Sequence, residues 1–214
     1  MSERQIDFPA KDEPLREDVH ALGTLVGEVI REQGGERLFQ AVETARTAAI
    51  RRRESGGEAE DLATCLAAMD PELVEQLARS FSTYFQVVNL AEKTHRIRRR
   101  RDYLRSATIQ PGSLEDALRQ LRQAGLDVTQ VHQLFCAMAI EPVFTAHPTE
   151  ATRRAILEKH QAIARRLVER FDPSRTPPEE RIALERIRAE VTTAWQTEEH
   201  PSIRPSVADE LDHV

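Results

Sequence analysis

A chain of 214 residues with 36 acidic and 30 basic side chains has a formal charge of −6, and both signs are mixed along its length, which argues against a nucleic-acid-binding surface and for solvated helical faces. Aromatic residues make up 5% and there are only eight glycines, so a sheet-rich barrel built from these residues alone is disfavoured, while the length allows one substantial core or two small ones. The charged N-terminus lacks a signal-type apolar region, and the longest uncharged run, 128–140, holds 13 residues, too few to cross a bilayer as a helix. A soluble cytoplasmic protein is expected, with no membrane and no nucleic-acid partner, and with Cys65 and Cys136 as isolated reduced thiols.

Residues 1–14 are polar and punctuated by proline, and read as a flexible tail. From Leu15 a helical period sets in through Val19, Leu22, Leu25, Val26, Val29 and Ile30, and Gly34-Gly35 stops it. A second helix over 36–53 turns Leu38, Phe39, Val42, Ala45 and Ala49 inward. Beyond Ser55-Gly56-Gly57, a short helix carries Leu62, Cys65, Leu66 and Met69. Asp70-Pro71 then restarts the chain as an N-cap followed by proline at the first helical position. The long helix it opens buries Leu73, Val74, Leu77, Phe81, Phe85, Val88 and Ala91. Its end meets the arginine run of Arg96 and 98–101, which lacks interleaved aromatics and suits a solvated helix C-terminus better than an RNA contact.

Ser113 caps a helix with Leu114, Leu118 and Leu121, and Gly125 stops it; a further helix with Val131, Leu134, Phe135 and Met138 leads to Pro142. The stretch 143–154 follows, Val-Phe-Thr-Ala-His-Pro-Thr-Glu-Ala-Thr-Arg-Arg. It begins as a short buried strand near 143–146, with β-branched Val143 and Thr145 around Phe144, and turns at His147-Pro148. Thr149 is the expected N-cap of the next helix, whose inward stripe is Ile156, Leu157, His160, Ile163, Ala164, Leu167, Val168 and Phe171. An imidazole at a strand end, unpaired helix amides and the guanidiniums of Arg153 and Arg154 together suit an anionic, phosphate-bearing substrate. After a proline-rich loop, Thr176-Pro-Pro-Glu179 reads as a capping box, opening a helix with Leu184, Ile187, Val191, Ala194 and the packing anchor Trp195.

The stretch 143–154 resembles, position by position, the first signature of the phosphoenolpyruvate carboxylase family: a hydrophobic pair, Thr-Ala-His-Pro-Thr-Glu, two free positions, then Arg-Arg. The resemblance extends over 15–210. It takes in the opening helices, the phenylalanine-rich helix ending in Asn89-Leu90-Ala91-Glu92, and a tail of the form Trp-x-Thr-Asp-Glu, here Trp195-Gln-Thr-Glu-Glu199. His200-Pro201 stands where family members usually carry Ile-Arg. Glu198 and Glu199 are adjacent acids, which a helix would point to different sides, and are read as structural rather than as metal ligands.

The resemblance implies a mainly α segment, the helical N-terminal part (15–214) of a larger, truncated α/β-barrel enzyme, with His147 at the C-terminal end of a barrel strand. It implies formation of oxaloacetate and phosphate from phosphoenolpyruvate and bicarbonate, with His147 catalytic and with Arg153 and Arg154 supporting the anionic site. Mg2+ or Mn2+ is implied as cofactor of the full-length enzyme, its ligands lying beyond Val214, and a homotetramer is implied as its assembly. Lacking the metal, the isolated chain is expected to be inactive, and its unpaired strand and exposed apolar surface to leave it marginally stable. Read without the family, the residues also admit a helical phosphohistidine carrier or a non-catalytic helical interaction module.

Overall fold

The computed structural model describes residues 9–55, 60–143 and 152–199. A 3-10 turn at Ala10–Asp12 leads into α1 (Glu13–Ser55), followed by α2 (Glu60–Ala67), α3 (Pro71–Arg105), α4 (Leu114–Gln123), α5 (Val128–Ala137), α6 (Arg154–Glu169) and α7 (Pro177–Trp195). The described residues contain no strand, so the mainly α expectation holds for them. Val143 has no regular structure and is 83% exposed. The rest of the strand expected near 143–146 lies outside the described residues, as does His147.

The chain divides into two compact units, Met1–His95 with Ala151–Val214, and Arg96–Glu150. The first is organised around one apolar cluster drawn from four helices. Leu22, Leu25, Val26, Val29, Ile30 and Leu38 come from α1; Val87, Leu90 and Ala91 from α3; Ile163 and Leu167 from α6; Ile187, Val191 and Trp195 from α7. Each fully buried Leu, Ile or Val contributes on the order of 1.5–3 kcal/mol of transfer free energy. A smaller cluster of Ala41, Ala45 and Leu77 extends this packing toward Leu66, Met69 and Phe81.

Gly35 sets the direction of α1. At φ 81° and ψ 170° it adopts a backbone that a side chain would strain, and it divides the helix into two arms, as the Gly34-Gly35 stop predicts. Across the interior, Arg170 bonds both Asp18 (2.7 Å) and Glu180 (2.6 Å), linking α1, the end of α6 and α7. Asp18 and Arg170 are both largely withdrawn from water, so each needs the other's charge. Ser80 and Thr94, also buried, satisfy their hydroxyls on their own helix by donating to the carbonyls of Gln76 (2.8 Å) and Ala91 (2.9 Å).

The helix starts follow local chemistry. The Leu73 amide donates to Asp70 Oδ1 (2.9 Å), and that amide first, with Arg37 second, holds the Asp70 carboxyl below its ordinary range. At α7, the Thr176 amide donates to Glu179 (2.8 Å), the reciprocal half of the expected capping box.

In the second unit, Ser113 Oγ accepts from the Asp116 amide (3.1 Å), and Asp116 accepts from the Gly112 amide (2.9 Å). Asp127 and Gln130 exchange bonds across the first turn of α5 (2.8 and 2.9 Å). Gly125 ends α4 at φ 83°. Asp116 is the only buried residue among those described in this unit; Leu114, Leu118, Val128, Leu134, Phe135 and Met138 are exposed.

Three inward assignments do not hold, the first of them Ala49, which is exposed near the end of α1. Phe85 is 57% exposed, with Phe81 stacked on it and Tyr84 edge-on, because the α3 face that meets the core runs through Val87, Leu90 and Ala91. Leu157 is exposed, since the first turn of α6 buries only Ile156.

Candidate functional site

Beyond Val143 the signature stretch re-enters the described structure at Thr152, and its anchorage can be followed residue by residue from there. Helix α6 starts at Arg154, with Arg153 as its N-cap at φ −57° and ψ 137° and no side chain bonded to the exposed amides. Thr149, the expected cap, lies outside the described residues. The start is this late because the backbone of Arg153 is held from elsewhere: its amide donates to the carbonyl of Glu199 (3.0 Å). Arg153 therefore remains extended, and its own carbonyl receives the amides of Ile156 (2.9 Å) and Leu157 (3.2 Å), which close the first turn.

The second family-like stretch, Trp195 to Glu199, is thus the structural partner of the first. It leaves α7 at Trp195 and runs without helical structure through Glu198 and Glu199, so the two acids are not on a helix. They nevertheless diverge, one toward the start of α6 and the other toward α3. Glu198 is exposed and bonds the Arg153 guanidinium (2.6 Å). Glu199 is half-buried and turns to α3: Ser82 Oγ donates to its Oε2 (3.0 Å) and Gln86 Nε2 to its Oε1 (2.6 Å). These bonds are charge-assisted and carry a structural role for both acids.

Gln86 extends the network to α6. Its side-chain oxygen lies 3.2 Å from His160 Nε2, and since an amide oxygen only accepts, the ring carries a proton on Nε2. Burial lowers the His160 pKa from its usual 6.5; Glu199 pulls it up and Lys93 pushes it down, both less strongly than burial. One further clamp fixes the segment. The Arg79 guanidinium of α3 donates to the carbonyls of Trp195 and Thr197 (3.1 Å to the latter) and lies 5.1 Å from the centre of the Trp195 ring.

Arg154 behaves differently from Arg153. Its side chain is 86% exposed and pairs with Glu158 one turn along α6 (3.2 Å), a surface contact of small energy. The two motif arginines therefore separate: Arg153 is built into the anchor, and Arg154 faces solvent. Sequence reasoning named Glu198 and Glu199 as structural, yet it missed Ser82 and Gln86 as partners of Glu199, His160 as the neighbour of Gln86 and Arg79 as the clamp on the Trp195 and Thr197 carbonyls. Only the polar positions of Ser82 and Gln86, four apart on α3, hinted at them. Among the described residues no three His, Cys, Asp or Glu side chains gather as metal ligands would.

Comparison with known proteins bears on the whole chain. The family model described as phosphoenolpyruvate carboxylase matches residues 15–214. Phosphoenolpyruvate carboxylase of Xanthomonas campestris pv. campestris is 47% identical over 209 residues, 97% of this chain and 23% of its own length. The enzyme of Xanthomonas oryzae pv. oryzae is likewise 47% identical over 209 residues, at the same coverage. That of Azorhizobium caulinodans is 35% identical over 216 residues, 100% of this chain and 23% of the relative. The chain thus spans about a quarter of the length of the curated relatives it matches.

Proposed function

Because the chain belongs to the phosphoenolpyruvate carboxylase family, we propose that it is the N-terminal portion of an enzyme that forms oxaloacetate and phosphate from phosphoenolpyruvate and bicarbonate. The observation that supports this reading is the stretch 143–154, which matches the family signature around His147 within a chain alike over nearly its whole length. In the proposed reaction bicarbonate attacks the phosphoryl group, giving carboxyphosphate and pyruvate enolate. Carboxyphosphate breaks down to CO2 and phosphate, and the enolate carbon captures the CO2. His147 assists that breakdown by proton transfer or by a hydrogen bond to the phosphate, tasks suited to a side chain titrating near pH 6.5 when unperturbed.

Arg153, with its guanidinium on Glu198, serves this site by fixing the end of the signature. Arg154, whose exposed partner Glu158 is held weakly, can exchange that carboxylate for a phosphate oxygen. A divalent ion, Mg2+ or Mn2+, would supply charge to the phosphoryl and enolate oxygens in the complete enzyme. Among the described residues no three His, Cys, Asp or Glu side chains are grouped to hold it. The proposed setting is a homotetramer in the cytoplasm; no described helix is long and apolar enough to cross a membrane.

The test is oxaloacetate formation, followed by a coupled assay, in the complete enzyme carrying His147→Asn. A loss of about a hundredfold or more in turnover is expected for removal of an acid–base group, and unchanged turnover would overturn the assignment. The 214-residue chain alone is expected to stay at background in the same assay.

A further inference from the structure

We infer that the apolar face of α5 is a docking surface for a later part of the same polypeptide, an uncharged apolar helix or sheet face beyond residue 214. This inference rests on the reading of the chain as the N-terminal portion of a longer enzyme. An imbalance of exposure motivates it. Among the described residues 13 large apolar side chains are exposed, and ten of them fall in the unit Arg96–Glu150. No apolar residue described in that unit is buried.

The anomaly is greatest at α5. Val128, Val131, Leu134, Phe135 and Met138 recur at three- and four-residue steps along one side of the helix. All but the half-buried Val131 are exposed, Val128 to 87%, and Ile140 just beyond the helix is 85% exposed. The rest of the helix is not built for water either. Residues 128–140 hold no Asp, Glu, Lys or Arg, in a chain of which 31% is charged. A solvated surface normally carries charge at roughly a quarter to a third of its positions. Yet α5 is a well-formed helix, its first turn closed by Asp127 and Gln130. An ordered, uncharged helix with an open apolar side is one whose cover is missing.

Size and composition point to the occupant. Apolar patches depleted of charge are characteristic of permanent interfaces rather than transient ones. With ten residues, α5 is about 15 Å long, and its open side is about 10 Å across. That falls far short of the roughly 800 Å² that each partner of a stable interface buries. A contact between two copies through this face alone is therefore too small. A segment of the same polypeptide docks without the loss of translational freedom that association costs. Such a segment exists in the family: the matched residues are 23% of the Xanthomonas campestris relative, so most of a family-length polypeptide lies outside them. Its chemistry follows from the face. A charge brought against α5 would be buried unpaired, so the cover is apolar.

The experiment is photo-crosslinking in the complete enzyme, with Leu134→p-benzoylphenylalanine and, separately, Val128→p-benzoylphenylalanine. After illumination, mass spectrometry locates the adduct. The expected result is an adduct within one polypeptide, to a peptide beyond residue 214. An adduct to a peptide within residues 1–214 overturns the inference, because the cover is then already present in this chain. A species of doubled subunit mass overturns it in favour of a second copy. No adduct at either position leaves the face in water and overturns it as well. Should one substitution prevent folding, the other carries the test. Leu134→Glu adds an independent readout: a melting transition lowered equally at low and high protein concentration is expected, and an unchanged one counts against any cover. Oxaloacetate formation by the unsubstituted complete enzyme, measured alongside, tests the underlying reading separately. Activity with an adduct elsewhere removes only the docking surface, and an adduct beyond residue 214 without activity removes only the enzymatic reading.

Discussion

The two units solve the problem of holding helices by different means. In Met1–His95 with Ala151–Val214, long helices lay continuous apolar stripes against one another, and residues from α1, α3, α6 and α7 share one core. In Arg96–Glu150 the two complete helices have ten residues each, and among the described residues no apolar side chain is buried. What defines those helices is their ends: Ser113 and Asp116 at α4, Asp127 and Gln130 at α5, Gly125 between them. Isolated helices of this length are marginal in water, so caps matter most where burial is least. The contrast also explains where an anchor for the signature can be built. Only the first unit offers buried helix faces against which a network such as Ser82, Gln86, Glu199 and His160 can be referenced.

The sharpest way to break the comparison is to cut the same side chain from each unit. Leu167 of α6 is 0% exposed and Leu118 of α4 is 40% exposed. Leu167→Ala should cost about 3–5 kcal/mol, the transfer free energy of the lost atoms plus the cavity they leave. Leu118→Ala should cost less than about 1 kcal/mol, because 40% of its surface already meets water and its removal leaves no closed cavity. Urea denaturation followed by circular dichroism measures both. Equal losses would show that the apolar face of α4 is covered in solution, and the contrast between the units would then fail.

How much of this was legible from the sequence follows the same division. Local signals were readable because they are complete within four residues: Asp70 before Pro71, Ser113 before α4, Thr176 with Glu179, and the glycines at 35 and 125 all act where their spacing places them. Asp127 with Gln130 obeys the same rule and could have been read in advance. The long apolar stripes were legible too, because their period survives over many turns.

The errors occurred where distant residues compete with local preference. Phe85 points outward because the packing angle of α3 gives the core to Val87, Leu90 and Ala91. Helix α6 starts at its arginines because Glu199, 46 positions away, takes the Arg153 amide. No window along the chain contains that bond. The signature named a family, whereas what holds its end depends on a contact between segments that sequence reasoning treated separately.

A milder cut sharpens the other half of the comparison. Ser113→Ala removes the hydroxyl that receives the Asp116 amide, and should cost about 1 kcal/mol of local helix stability. Amide exchange is the proper readout, since the loss should accelerate exchange in α4 while leaving α1, α6 and α7 protected. Faster exchange in those core helices would mean that the second unit's caps support the first unit as well.

The smallest effect concerns pH and again separates tertiary from local control. His160 meets Gln86 in a half-buried site, and its pKa lies below the usual 6.5, chiefly because burial disfavours the charged ring. Of the charges that reach it, Lys93 of α3 adds to this lowering and Glu199 opposes it. A base with a lowered folded pKa is protonated more readily in the unfolded chain, so the unfolded state binds more protons as pH falls through 6.5 toward the folded value. Stability is therefore present in full above that window and declines on acidification through it. Comparing urea midpoints at about pH 7.5 and about pH 5.5 should show a loss for the natural chain that is smaller in His160→Gln. Glutamine keeps a donor for the Gln86 oxygen and cannot take up the proton. An identical acid loss in the variant would assign the pH dependence to other groups. It would also show that the Gln86 end of the Glu199 anchor is indifferent to the charge of its neighbour.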